Sequence, residues 1–495
     1  MEAEIVLPLW LFILLAVLAL LAALDRFLIP STRWLLRRRI NRVLEEIGTR
    51  LDIEIRPFQL TKRQVLIDRL AYDPIVAEAA RQYARQHDMP LDVAQDKALS
   101  YAREIVPSFN AYLYFRIGYW AAKKVARVLY RVRVGLLEED RFSAIDRDST
   151  VVFVMNHRSN MDYVLVAFLA AERTTLSYAV GEWARIWPLQ TLIRAMGAFF
   201  VRRHSGDNTL YRRVLERYIR MATAEGVCQA VFPEGRLSRD GRLQPPKLGL
   251  VDYMLREYQL ETDRDIVFIP VGINYDRTLE DRSLLRELNP DAPKRSRWFV
   301  MRTAFRFVRR SLLLMVLSRW ERYGYACVNF GAPVSMREYC RRHGIDFKRL
   351  ERANRFVEVQ RLCERLMERI ARVVPVLPVS LVATVYLEAA GQSMDLIEIE
   401  KRSERLLMAM KQAGAPVFEA PRSTLNHLVG GAVHTLHLRR ILHRDGDRYR
   451  ADPEQTPLLR YYANAVAHWH PAACADVDTA RLTTASTSEL PGSGT

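Results

Sequence analysis

The sequence predicts an α/β layered domain set between two helical regions. Short apolar runs recur between residues 136 and 335: VVFVM at 151, TLSYAV at 175, AFFV at 198, VCQAVF at 227, IVFIPVGI at 266 and YACVNF at 325. Helical patterns lie between them, as in LYRRVLERYIRMA, where Leu210, Tyr211, Val214, Leu215, Tyr218 and Ile219 share one face. Strand–helix alternation of this kind builds layered α/β domains. The flanks, residues 31–135 and 336–470, are helix-prone, and from 60 to 135 the chain is strand-poor.

The 495 residues suffice for a large core and more than one folding unit. A formal net charge of +17 calls for an acidic partner: nucleic acid, an anionic membrane or a phosphate-bearing substrate. The five cysteines (Cys228, Cys327, Cys340, Cys363, Cys474) are scattered without a CxxC pair, so neither a zinc site nor a disulfide framework is expected. A reducing compartment follows most simply.

Residues 5–24, IVLPLWLFILLAVLALLAAL, are uncharged and long enough to span hydrocarbon. Pro8 falls in the first turn, where a missing N–H costs little. A cleaved signal peptide is the competing reading, but Met1, Glu2, Ala3 and Glu4 form no basic n-region. Arg26, Arg33, Arg37, Arg38, Arg39 and Arg42 all follow the run, which predicts one N-out, C-in transmembrane helix (residues 1–30 with its flank) and a cytosolic body. The next segment sets Leu36, Ile40, Val43, Leu44, Ile47 and Leu51 on one helical face, with its arginines at anionic headgroups; an ordinary basic surface helix fits the same pattern.

Within the layered domain, 136–335, the stretch VMRTAFRFVRRSLLLMVLSRW (300–320) holds an apolar core too short to span. It reads as an interfacial helix or a buried one. Residues 336–470 are helix-rich and basic, and 471–495 read as a disordered tail. His434 and His437 have helical metal-compatible spacing, but no acidic or cysteine partner lies nearby in sequence.

Chemistry is concentrated where apolar runs end. After VVFVM comes NHRSNMD, Asn156 to Asp162. A carboxylate one tight turn after a histidine can hold one ring nitrogen and leave the other to take a proton; a helix-capping aspartate is the plain alternative. Such a base contributes ~10²–10⁴-fold in rate, and needs no protein nucleophile if the substrate brings a hydroxyl. GAFFVRR places Arg202 and Arg203 after another run. FPEGRLSRDGRLQPPKLG places Glu234, Gly235, Arg236, Ser238, Arg239 and Lys247 after a third. FIPVGINYDR places Pro270 and Tyr275 near the end of a fourth. Sites in open α/β domains gather at strand ends, glycines admit a ligand close to backbone, and arginine forks match phosphate oxygens.

These four blocks, in this order and spacing, resemble those of the glycerolipid acyltransferase family. GAFFVRR, the PPKLG extension and Ile273-Asn274-Tyr275-Asp276-Arg277 resemble its glycerol-3-phosphate acyltransferase branch, as does PLLRYYANAVAHW at 457–469. The resemblance implies an acyltransferase-type layered domain with a mixed sheet flanked by helices, and a one-step transfer from acyl-CoA or acyl carrier protein. His157 would deprotonate the sn-1 hydroxyl of glycerol 3-phosphate, oriented by Asp162. Arg202, Arg203 and Lys247 would hold the phosphate; Glu234 and Gly235 would shape the pocket; Ser238 would help bind the acceptor; and Pro270 would complete the wall. No metal or bound cofactor is implied, and a bacterial inner membrane is the implied location.

The third block departs from the family's Glu-Gly-x-Arg-Ser-Arg. Leu237 stands where the first arginine is usual and Arg236 sits one place early, so Arg239 is the expected phosphate ligand. The departure leaves 1-acylglycerol 3-phosphate, another lysophospholipid or dihydroxyacetone phosphate open as acceptors. A non-catalytic lipid- or carrier-binding scaffold is the rival of another class. No nucleic acid is expected as a partner, since no aromatic–basic recognition module appears.

Overall fold

The computed structural model describes residues 56–469, apart from 111–113, 115–117, 136–141, 143, 171–175, 181–188, 203–207, 289–321 and 419–423. The expected transmembrane segment 5–24, the segment 300–320 and the tail 471–495 lie outside the described residues. Among the described residues no helix is long and apolar enough to cross a membrane.

The apolar runs form a mixed sheet. Its strands are β1 (Arg131–Val134), β2 (Thr150–Met155), β3 (Ser177–Val180), β4 (Phe199–Phe200), β5 (Gln229–Val231), β6 (Ile266–Tyr275), β7 (Tyr325–Phe330) and β8 (Val334–Ser335), in the order β1-β7-β6-β2-β5-β3-β4 with β8 also on β6. From β6 across to β4 the neighbours are parallel, whereas β7 and β8 run antiparallel to β6. β1 belongs to this sheet, pairing in parallel with β7, although its sequence falls in the stretch read as strand-poor and helical. Its alternating Arg131-Val132-Arg133-Val134 lies largely exposed, so it carries no apolar run.

β6 is buried along its whole length, which explains its unbroken apolar sequence. Pro270 sits where the antiparallel partner changes: β8 pairs with Val267 and Phe268, and β7 begins at Val271. A missing N–H is tolerated at such a break, and the Pro270 carbonyl still accepts from Gly331 N at 2.8 Å.

Helices cover both faces. Val152 and Val154 face a cluster that includes the N-terminal helices Arg63–Ala71, Pro74–Gln86 and Leu91–Ile105, with Thr209–Ala224 and Arg352–Ala371. Phe153 and Met155 face the other side, where the helices Tyr119–Leu129 and Met161–Ala170 pack. The connection leaving β2 therefore goes to one face, and that leaving β5, through Gly249–Leu255, goes to the other. Adjacent strands whose connections diverge leave a crevice at their carboxyl ends.

The C-terminal helices Pro378–Glu388, Leu396–Gln412, Leu425–Leu438 and Thr456–Ala463 form a third cluster, joined by a small sheet of Met394–Asp395, Leu442–Asp445 and Arg448–Ala451. This cluster reaches the layered domain directly. Gly241 has φ +87°, and a Cβ there would overlap the Tyr461 carbonyl oxygen. Asn464 Nδ2 donates to Asp240 O at 2.8 Å, and the Arg158 guanidinium lies over the Tyr461 ring, 5.7 Å from its centre.

Candidate active site

The crevice between β2 and β5 opens at Asn156. Its side chain continues the ladder as the main chain turns away: Nδ2 donates to Ile273 O at 2.9 Å and Oδ1 accepts from Ile273 N at 2.8 Å. His157 follows, buried, and the chain enters the helix Met161–Ala170 with Asp162 in its first turn. Asp162 Oδ2 accepts from His157 Nδ1 at 2.9 Å, Arg158 N at 2.7 Å and Ser159 N at 3.0 Å. Its other oxygen, Oδ1, accepts from the Tyr275 hydroxyl at 2.6 Å. The Asp162 carboxylate accepts from all four neighbours, so Nδ1 is the protonated ring nitrogen and Nε2 is the acceptor. Among the described residues no protein group is bonded to Nε2. The imidazole is stacked on Phe232 (centroids 4.0 Å apart, 27° between planes) and meets Tyr163 edge-on at 5.4 Å.

The β5 turn is zipped to the histidine backbone. Glu234 Oε1 accepts from His157 N at 3.0 Å, and Ser238 N donates to His157 O at 2.9 Å. Glu234 Oε2 also accepts from Gln244 N at 3.3 Å. Burial pushes the Glu234 carboxyl up to about 8, against the opposing pull of these N–H groups and Arg158. Gly235 adopts φ +70°, and a Cβ there would come within 3.1 Å of Lys247 Cγ. Lys247 is itself exposed, its N–H donating to Pro233 O at 2.7 Å.

The Ser238 hydroxyl is spent inside its own loop, donating to Arg242 O at 2.6 Å and accepting from Gly241 N at 3.1 Å. Arg236 is exposed, Leu237 packs against the C-terminal helical cluster, and Arg239 pairs with Glu287 at 3.2 Å. Arg202, just past β4, is held by Glu104 through two bonds, Nε to Oε1 at 2.9 Å and Nη2 to Oε2 at 2.6 Å. It also lies over the rings of Tyr101 and Tyr211. The Glu104 carboxylate holds the guanidinium pKa above its usual range. Arg203 lies outside the described residues.

Hydrogen bonds thus join His157, Asp162, Glu234 and Ser238. A Cβ on Gly235 would meet the Lys247 side chain, and Pro270 stands opposite Val154 on the strand beside β2, which ends two residues before His157. Arg202 and Arg239 are held elsewhere by carboxylates. Three strand spacings separate β2 from β4, about 14 Å.

Residues without a role on sequence grounds also build the site. Glu280 accepts from Ser159 Oγ at 2.7 Å and from Asn160 Nδ2 at 3.0 Å, bracing the turn that carries Asp162, and burial raises its carboxyl. Arg158 donates to Gly241 O and, at 3.4 Å, to Asn274 Oδ1. Tyr275 belongs to the fourth block, yet spacing alone gives no sign that its hydroxyl meets Asp162. Among the described residues no three His, Cys, Asp or Glu side chains gather for a metal ion; His437 Nδ1 is turned to Leu442 O at 3.1 Å.

Two family models match the chain: the acyltransferase model over residues 138–274, and that of the glycerol-3-phosphate acyltransferase C-terminal region over 311–474. Curated relatives named glycerol-3-phosphate acyltransferase include one from Xanthomonas campestris pv. campestris, 29% identical over 455 residues (89% of this chain, 49% of the relative). Another, from Aeromonas hydrophila subsp. hydrophila, is 27% identical over 419 residues (83% and 50%). The chain spans about half the length of the curated relatives it matches. A solved 1-acyl-sn-glycerophosphate acyltransferase of Thermotoga maritima aligns with 52% of this chain and 77% of its own, at 17% identity and a TM-score of 0.28.

Proposed function

For this chain, which belongs to the glycerolipid acyltransferase family, we propose the transfer of a fatty acyl group from acyl-CoA or acyl carrier protein to the sn-1 hydroxyl of glycerol 3-phosphate. The observation that carries this reading is the His157–Asp162 pair, with Nε2 bonded to no group of the described residues. No serine or cysteine of the described residues is bonded to that nitrogen, so the hydroxyl it activates belongs to the substrate. His157 takes the hydroxyl proton as the oxygen attacks the thioester carbon. The tetrahedral intermediate collapses, the thiolate leaves, and the imidazolium returns the proton to it. The products are lysophosphatidate and the free thiol.

In this reading Arg202, Arg203 and Lys247 bind the acceptor phosphate, with Arg239 at the rim. Glu234, Gly235 and Pro270 shape the pocket, and Ser238 acts on the acceptor through the loop it closes. The body is cytosolic, held by segment 5–24 at an anionic membrane, the bacterial inner membrane. The product's acyl chain partitions into the bilayer, which suits a catalyst anchored at its surface.

Labelled acyl-CoA and acyl carrier protein, offered with glycerol 3-phosphate or 1-acylglycerol 3-phosphate to detergent-solubilised protein, test the proposal. Product from glycerol 3-phosphate that disappears in His157→Ala is expected. Product from the acylated acceptor alone would move the protein to the second acylation. Absence of product with every pair, and full cellular function of a folded His157→Ala protein, would leave the scaffold reading.

A further inference from the structure

Asp162 carries three of its four hydrogen bonds on one oxygen, Oδ2, and all three come from its own turn. Among the described residues the other oxygen is reached by a single donor, the Tyr275 hydroxyl, 113 residues away in sequence and at 2.6 Å. Asp162 is fully buried, so water cannot replace that donor without opening the site. Three bonds converging on one atom fix where that atom is, but leave the carboxylate free to pivot about it. A bond to the second oxygen fixes the plane, and with it the line from Oδ2 to Nδ1.

Tyr275 is well placed to supply that bond. It is the last residue of β6, so its backbone is tied into the sheet, opposite Ala326. Its ring packs against Tyr130 at 5.3 Å, and Tyr130 is fixed in turn by its hydroxyl bond to Arg277 O at 2.7 Å. Tyr323 meets Tyr130 edge-on at 6.0 Å. Burial and the adjacent Asp162 raise the phenol well above its ordinary range, which keeps it a donor wherever the histidine acts as a base.

We propose that Tyr275 is a positioning residue of the reaction, acting through Asp162 to hold the His157 imidazole in its proton-accepting geometry. The inference rests on the acyl-transfer reading for its kinetic consequence, but not for the geometry itself. Tyr275→Phe removes the hydroxyl and keeps the ring. The expected result is a fall in kcat of roughly ten- to a hundredfold, the range for losing a hydrogen bond to a charged group. KM for donor and acceptor stays within about twofold and the melting temperature within a few degrees. In an Asp162→Asn background the same substitution costs less than about twofold, because the path through Asp162 is already cut.

A second readout needs no substrate. The imidazole N–H proton facing Asp162 gives a low-field resonance, assigned by its loss in His157→Ala, and Tyr275→Phe shifts or broadens it. A wild-type enzyme active on no acceptor would sink the acyl-transfer reading while leaving this resonance to decide the geometry. An unchanged resonance, an unchanged kcat in an active enzyme, or a full loss that persists in the Asp162→Asn background would each overturn the role of Tyr275.

Discussion

Around His157 and Asp162 the polar contacts are buried and run between loops, whereas at the end of β4 the Arg202 fork closes on Glu104 with a third of its side chain exposed. The first arrangement is complete before any ligand arrives. The second is an ion pair of Arg202 with Glu104; in the proposed reading an incoming phosphate would compete with that carboxylate for the same two N–H groups. Under the proposed acyl transfer the contrast would separate two tasks: a base must be aimed within fractions of an ångström, while an arginine that recognises an anion can be held in reserve by a carboxylate.

The largest effects are expected on the closed side. His157→Ala lowers acyl transfer by roughly 10³-fold with melting temperature preserved, and Asp162→Asn, which disturbs the tautomer, costs a similar factor in kcat. Steady-state rates with saturating donor check both. A loss confined to KM would break the comparison, because it would make the dyad a binding device.

The second prediction concerns the open side. Arg202→Ala raises KM for glycerol 3-phosphate by roughly ten- to a hundredfold with kcat little changed, the signature of lost binding to a charged group. Glu104→Gln, by removing the competitor, lowers KM a few-fold. Opposite signs mark exchange of partners. If both variants instead lose stability and raise KM together, the Arg202–Glu104 pair is a structural strut between the helix Leu91–Ile105 and β4.

How much of this was legible in the sequence follows from distance along the chain. His157 and Asp162 lie within one turn, so their pairing could be read from spacing. Tyr275 is 113 residues from Asp162, and Glu104 is 98 from Arg202; only the fold brings them together. The central strands announced themselves because both faces of the sheet are covered. β1 did not, being an edge strand with arginines at alternate positions. The exposed hairpin Leu442–Asp445 and Arg448–Ala451 was likewise hidden, although the Gly446-Asp447 turn between its strands is a hairpin signal of the kind that charge obscures.

Leu237 supplies a third prediction. Its side chain packs on the C-terminal cluster, where the family's usual arginine would be a poor fit. Leu237→Arg should lower stability by about 1 kcal/mol through lost apolar burial, with no gain in acceptor affinity. Thermal unfolding and KM measure the two halves. A lower KM at unchanged stability would place position 237 with the recognising arginines, and so move part of the β5 turn to the open side of the comparison.

The smallest effect tests how dry the closed side is. Burial lifts the Glu234 carboxyl to about 8, so the folded protein holds that proton more tightly than the unfolded chain. The sign follows from linkage: the contribution to stability is whole below the ordinary carboxylate range and is lost as pH rises through about 8. Glu234→Gln has no proton to lose, so its stability should decline less between about pH 4.5 and 8, as read by denaturant unfolding at stepped pH. It also exchanges one acceptor for a donor facing His157 N or Gln244 N, so it starts from a lower stability. The two curves should therefore converge as pH rises. Parallel curves would mean that the N–H groups of His157 and Gln244 already hold Glu234 ionised, and that the loop junction is polar enough to stabilise a second carboxylate beside Asp162.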